Sequence, residues 1–438
     1  MAGGTWNTQN KVRPGVYINF VSEPKPLGTV GERGITALAL SLPWGPEKRV
    51  ITVEAGADTT DVLGFDINDP GLLLVRESLK RAKTLLLYRL NVGVKATATA
   101  GDLVATALYS GERGNDITVV VQANIDEPTK FDVKTFVSGT EVDIQTVATI
   151  AELTDNGWVT WSGTGDLTAT AGVNLAGGTN GTATNADHTT FLAALELQDF
   201  NTVGLTVDDE TLKPLYTAFV KRLREDEGKK VQAVVTNYPA ADYEGVISVK
   251  NGVVLSDGTT LTAAQAVAWV AGATAGATVS QALTHTAYDD AVDVSPRYTN
   301  SQIEAALLAG EFVFTPSNGR AIVEQDINTL TSFTATKTRD FRKNRVLRVL
   351  DGLANDYKRI FEAYYIGKMD NNADGRNLIK GEFINQAELY QGINAIQNFD
   401  SQSDIAVIQG DEKDSVYAEQ YIQPVDSVEK LYTKVRVK

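Results

Sequence analysis

Cysteine is absent from the 438 residues, which excludes disulfides, thiolate nucleophiles and cysteine-ligated zinc. Histidine occurs only as His188 and His285, far apart in the chain, so a histidine-rich metal site or a catalytic triad has almost nothing to draw on. No apolar run approaches the ~18 residues of a membrane span, and Met1 to Asn10 is polar with no apolar core. Membrane insertion and Sec export are therefore not expected. Positive charge is also short. The 40 basic residues face 55 acidic ones, a formal charge of -15. That balance disfavours nucleic acid and anionic membranes, because neutralising phosphates needs clustered Lys and Arg.

What is present is ordinary globular material, 43% hydrophobic and 22% charged, long enough for two to four domains at ~100 to 200 residues each. After a leader rich in Gly, Asn and Pro, Val16 to Val21 forms a β-favouring run. Strands at Ile35 to Leu42, Val50 to Val53 and Thr84 to Leu90, with a helix at Leu72 to Ala82, give an α/β rhythm. Between about Asn91 and Ala186 the chain turns to Thr, Val, Gly and Ala, with strands at Leu103 to Tyr109, Ile117 to Ala123, Phe131 to Val137 and Glu141 to Val147. This stretch predicts an all-β domain inserted into one α/β domain. The α/β rhythm resumes with helices at His188 to Leu197, Asp209 to Glu227 and Ala263 to Ala271, and strands at Asn201 to Val207 and Lys230 to Thr236.

Asn251-Gly252, between β-branched residues of Val246 to Leu255, predicts a two-residue type I′ hairpin. Toward the end, apolar residues from Leu347 to Tyr364 recur at steps of three and four, predicting a long helix over about Asp340 to Ile366, with a second near Phe383 to Ile396. In the final segment Leu431, Thr433, Val435 and Val437 alternate with Tyr432, Lys434, Arg436 and Lys438, as in a strand with one apolar and one basic face.

Candidate chemistry is sparse. Gly177 to Gly181 lacks the Lys of a phosphate-binding loop and reads as a boundary turn. Asp370 to Gly375 starts like an EF-hand loop, but its twelfth position is Gly381 and Glu382 misses by one, so an interhelical loop is expected. Asp208, Asp209 and Glu210 sit where a helix N-terminus favours negative charge. His188 and His285 have no nucleophile motif nearby and read as surface or helix-start residues. The charge anomaly is Thr336 to Arg348, where six basic residues face only Asp340. Arg339, Arg342, Arg345 and Arg348 recur every third residue, which on one helix makes a drifting stripe, a solvated face or a docking surface for an acidic partner.

Several short segments together resemble the contractile tail sheath proteins of bacteriophages, R-type bacteriocins and related injection systems. They are Pro14-Gly15-Val16-Tyr17, Trp44-Gly45-Pro46, Gly114 to Val119, Leu175 to Gly181, and Gln423 to Tyr432. The resemblance implies a structural subunit, not an enzyme, with no cofactor or metal. It would form six-fold rings stacked helically around an inner tube protein and contract to drive that tube through a cell envelope. Baseplate and tail terminator proteins would be its other partners. Assembly would occur in the bacterial cytoplasm, and after release the chain would be part of a phage tail or bacteriocin particle.

The expected organisation is α+β and multidomain. An N-terminal arm covers 1–30, an α/β sheath core 31–92 and 186–335, an inserted β domain 93–185, a C-terminal α/β domain facing the tube 336–425, and a C-terminal arm strand 426–438. Strand donation between subunits is expected at Val16, Tyr17, Ile18, Phe20, Leu431, Thr433, Val435 and Val437, because an unpaired edge invites another chain. The tube-facing candidates are Arg339, Arg342, Arg345 and Arg348. Flexible joints are expected at Glu23 to Gly31 and Tyr421 to Ser427. A self-assembling adhesin or surface-layer subunit, and an unrecognised hydrolase, are the rival readings of the residues.

Overall fold

The structure, a computed structural model, describes residues 31–437 together with the backbone of Ala2–Gly4 and Gly15–Tyr17. Ile18, Phe20 and most of the first expected joint lie outside the described residues. At the centre is a seven-stranded sheet in the spatial order Glu311–Phe312, Val246–Val249, Gln232–Thr236, Thr202–Gly204, Ile35–Leu40, Thr84–Arg89 and Val50–Glu54. All neighbours pair in parallel except Val50–Glu54, which runs antiparallel at one edge.

The central strands read as near-continuous apolar runs because both faces are covered. Along Ile35–Leu40, Ala37 and Ala39 face the Asn185–Glu196 and Leu212–Glu225 helices, packing with Phe191, Leu195, Tyr216 and Leu223. Leu38 and Leu40 face the other way, toward Val75 of the Leu73–Leu79 helix and Ala268 of the Ala263–Gly276 helix. The latter helix is apolar all round, as its position between sheet and neighbouring helix requires.

The inserted region forms two antiparallel sheets. One orders Thr140–Val147, Phe131–Val137, Ile117–Ala123 and Thr170–Asn174; the other orders Val159–Ser162, Leu103–Ala107 and Thr97–Ala100. Their inner faces share one core, including Val119, Val121, Val133, Ala105 and Val159, and Trp44 from the α/β body enters that same core.

Asn251-Gly252 does not make the expected hairpin. Val246–Val249 pairs in parallel within the central sheet, while Gly252–Leu255 belongs to a separate small sheet with Thr260–Leu261 and Ala291–Ser295. Asn251 is buried, donating to the carbonyls of Pro296 and Phe314 and accepting from Phe314 N. Glycine follows it because a Cβ at residue 252 would lie 1.8 Å from the Leu261 carbonyl oxygen. The signature was a close approach, not a positive φ.

The expected long helix is also divided. A 3₁₀ turn over Arg339–Arg342 is followed by extended Lys343, with φ -81 and ψ 117, and only then by the Asn344–Tyr364 helix. Val349, Leu353 and Ile360 of that helix are buried, and Val349 and Leu353 pack with Ala387 and Tyr390 of the Ala373–Gly392 helix. Beyond it stands a two-stranded hairpin, Ile405–Gln409 with Val416–Gln420.

Candidate assembly surfaces

Residues flagged as possible chemistry are occupied by the fold itself. Asp209 Oδ1 accepts from the backbone N–H groups of Thr211 and Leu212, capping the Leu212–Glu225 helix, and Asp208 and Glu210 pair with buried Lys213. His188 is at a helix start as expected, but it is buried, not on the surface, with Nδ1 2.8 Å from the Tyr216 hydroxyl. Burial lowers its pKa, so the neutral ring is favoured. His285 is exposed.

A cleft of about 600 Å³ opens at the carboxyl ends of the central strands and includes His188, Asp208, Asp209 and Thr184. Thr184 and Asp187 cap the Asn185–Glu196 helix reciprocally, so the polar groups there are committed to capping and packing. In the EF-hand-like loop, Asn372 accepts from Gly375 N at 2.8 Å and caps the Ala373–Gly392 helix, the interhelical role expected. Among the described residues no group of three or more His, Asp or Glu is placed to hold a metal, and no helix is long and apolar enough to cross a membrane.

The arginine stripe does not form one surface. Arg348 is 1% exposed and pairs with buried Asp326 at 3.2 Å. Arg345 Nε donates to the Ser280 carbonyl at 2.8 Å, and Arg342 is half-buried. Only Arg339 is exposed. The break at Lys343 turns the first two arginines off the helix that carries the last two, so a docking face made of all four is ruled out.

The inserted β domain is fastened to the body at both sides of its root. The incoming and outgoing segments bridge at Val94 with Thr179 and Thr97 with Ala176. Asn91 Nδ2 donates to the Asn180 carbonyl, and Asn115 reaches across to Gly178 in both directions. The glycine-rich turn therefore serves this crossing; a Cβ at residue 181 would sit 2.0 Å from the Val92 carbonyl oxygen. Trp44 stacks on Trp158 at 5.3 Å between ring centroids and meets Tyr109 edge-on at 5.4 Å. Arg113 lies 4.3 Å over Phe65 and donates to the Gly64 carbonyl.

The C-terminal arm differs from the expectation at its root. Tyr421 to Ser427 is not a free joint: Gln423–Pro424 pairs with Ile396–Gln397, and Val425 N donates to the Ala395 carbonyl. Glu429 then binds Thr284, Gln325 and Lys343. Past it, Leu431, Val435 and Val437 are 85%, 80% and 94% exposed, and residues 430–437 enter no strand among the described residues. Nearby in sequence, the Ile405–Gln409 and Val416–Gln420 hairpin pairs with no third strand among the described residues, and its facing Ile408 and Tyr417 are both more than half exposed. The hairpin was not singled out by sequence reasoning, although its short alternating runs carry the signal. At the other end, Gly15–Tyr17, which includes Val16 and Tyr17, pairs in parallel with Ala2–Gly4.

Comparison with known proteins decides the family. Four phage tail sheath domain families match consecutive stretches: the domain III N-terminal region over 33–90, the beta-sandwich domain over 91–180, the central domain over 181–329 and the C-terminal domain over 336–438. The phage-like element PBSX protein XkdK of Bacillus subtilis is 41% identical over the full length of both chains. The chain belongs to the phage tail sheath family. Its backbone is similar to those of sheath tail proteins from Desulfitobacterium hafniense and Listeria innocua. The first is 60% identical, covers 97% of this chain and 100% of that one, and has a TM-score of 0.87. The second is 41% identical, covers 93% and 95%, and has a TM-score of 0.82. The contracted sheath of the anti-feeding prophage shares the fold at 16% identity and a TM-score of 0.54, covering 98% and 100%. The sheath chain is thus a structural particle component with a multidomain α+β fold.

Proposed function

We propose that this sheath subunit assembles as stacked six-fold rings around an inner tube and contracts to drive the tube through a cell envelope. The observation that carries the reading is the pairing of two incomplete elements. Among the described residues, the arm of residues 430–437 has β-alternation but joins no strand, and the Ile405–Gln409 and Val416–Gln420 hairpin has no third strand on either edge. A two-stranded hairpin alone is marginal, and an open edge is a template for another chain. An arm from a second copy laid along this hairpin completes both.

Energetics agree with exchange between subunits. Backbone hydrogen bonds of ~0.5 to 1.5 kcal/mol each barely offset ~1 to 2 kcal/mol of ordering per residue, so the apolar face of the arm must also be buried. Val16, Tyr17, Ile18 and Phe20 are assigned the same role at the N-terminal end. Contact with the tube falls to Arg339 and its neighbour Arg342, where weak exposed charge holds register without tight packing. Force comes from free energy stored at assembly, an extended lattice relaxing over a kinetic barrier while the domains move as nearly rigid bodies. Baseplate and terminator proteins bound the stack, which forms in the bacterial cytoplasm before release as part of a phage tail or bacteriocin particle.

Negative-stain microscopy of the purified chain tests this. Rings or tubes are expected, and a variant lacking residues 430–438 should remain a folded monomer. Normal tubes from that variant, or a nucleotide requirement for contraction, would sink the reading.

A further inference from the structure

Between Val428, 88% exposed, and Leu431, 85% exposed, the side chain of Glu429 is only 11% exposed. Its carboxylate collects donors from three distant parts of the chain. Thr284 Oγ1 donates to Oε1 at 2.9 Å, Gln325 Nε2 donates to Oε2 at 2.6 Å, and Lys343 Nζ pairs with Oε2. Thr284 in turn accepts from Asp326 N at 3.0 Å, and Asp326 holds the buried guanidinium of Arg348. Glu429 is therefore tied to the buried ionic centre that joins the central domain to the start of the Asn344–Tyr364 helix.

We infer that Glu429 is a positioning residue that clamps the root of the C-terminal arm, leaving only the residues after it free to reach a second copy of this chain. The inference rests on the strand-exchange reading above and adds its geometry. At ~3.3 Å per extended residue, residues 430–438 reach about 30 Å from the clamp, whereas a joint at Tyr421 would allow about 55 Å. A shorter tether raises the local concentration of the arm at sites within reach and removes sites beyond it. The clamp thus selects which neighbouring hairpin receives the arm, and the pull of that neighbour passes into Thr284, Gln325 and Lys343.

Trypsin reads the clamp directly, because Lys430, Lys434 and Arg436 lie on the arm and a protease needs several extended residues on each side of the bond. In the full-length chain, diluted until light scattering shows monomer, cleavage after Lys434 should be at least tenfold faster than after Lys430. Glu429→Ala should bring the two rates together, and Lys343→Gln, which loosens the clamp from the other side, should do so in part. Equal rates in the unaltered chain, or no change in either variant with folding verified by circular dichroism, would overturn the clamp. Microscopy supplies the second arm of the test. The released variants should give short or irregular stacks, and regular tubes at full yield would overturn the positioning role. Unaltered protein that protects the Lys430 bond yet never forms tubes would retain the clamp and remove the assembly reading instead.

Discussion

Arg224 and Asp351 meet in a two-pronged ion pair, with Nη1 2.6 Å from Oδ2 and Nη2 2.8 Å from Oδ1, fastening the Leu212–Glu225 helix to the Asn344–Tyr364 helix. Both side chains are under one-tenth exposed. Burial works against the charge on Arg224, but the adjacent carboxylate outweighs it and raises the guanidinium pKa. Removing one partner, as in Asp351→Ala, leaves a buried charge unpaired and should cost roughly 3 to 5 kcal/mol. The double replacement Arg224→Met with Asp351→Leu should lose far less. Urea unfolding of the monomer distinguishes the two; equal losses would mean that the pair's charges are not what the site requires.

Arg339 and Arg348 should separate cleanly. Arg348→Gln breaks the buried contact with Asp326 and should destabilise the subunit by roughly 3 to 5 kcal/mol, whereas Arg339→Gln should stay within about 0.5 kcal/mol. If Arg339 meets the tube, its loss should weaken co-sedimentation with purified tube protein at low salt and leave the melting temperature unchanged. A stability loss from Arg339→Gln matching that of Arg348→Gln would contradict the burial difference.

Trp44 should be the residue that couples the β domain to the body. Trp44→Ala empties a site walled by Trp158 and Tyr109 and should cost about 3 to 5 kcal/mol, while Trp44→Phe should cost less. Proteolysis at the domain root, near Val92 or Gly181, should become faster in the alanine variant. An unchanged cleavage pattern would show that the backbone bridges alone hold the domain.

Asp242 supplies a pH test. Burial pushes its carboxyl up, but hydrogen bonds from Ser332 and Thr331 outweigh that and bring it down to about 2. A depressed folded-state value stabilises the protein above the unfolded value of ~3.9, and the contribution disappears as pH falls toward 2. Asp242→Asn should flatten that part of the stability profile between pH 4 and 2; an identical profile would assign the acid sensitivity elsewhere.

Local pattern carried the regular elements well. Ile117–Ala123 and Phe131–Val137 end where their alternation ends, because one face of each strand is core and the other is not. The failures share a physical cause, a contact with a distant residue. Gly252 answers to the Leu261 carbonyl, Arg348 to Asp326, and Glu429 to partners at 284, 325 and 343. Nothing within a few residues of these positions could reveal such partners. Spacing alone made the arginines a stripe, and the extended Lys343 between the two helical turns removed it. The alternation of the arm was readable because it is local, whereas the contacts of its clamped root were not.

The side-by-side crossing of Val94 with Thr179 also bears on how such particles can be altered. The two cut ends left by removing the β domain would already be neighbours, so a short turn could reconnect them, or an unrelated domain with adjacent termini could be spliced in. The obstacle is Trp44, which would be stripped of Trp158 and Tyr109 and left as bare indole on the new surface. A graft should therefore begin with a polar replacement at that one position. The β domain then becomes exchangeable without touching either the clamp or the hairpin.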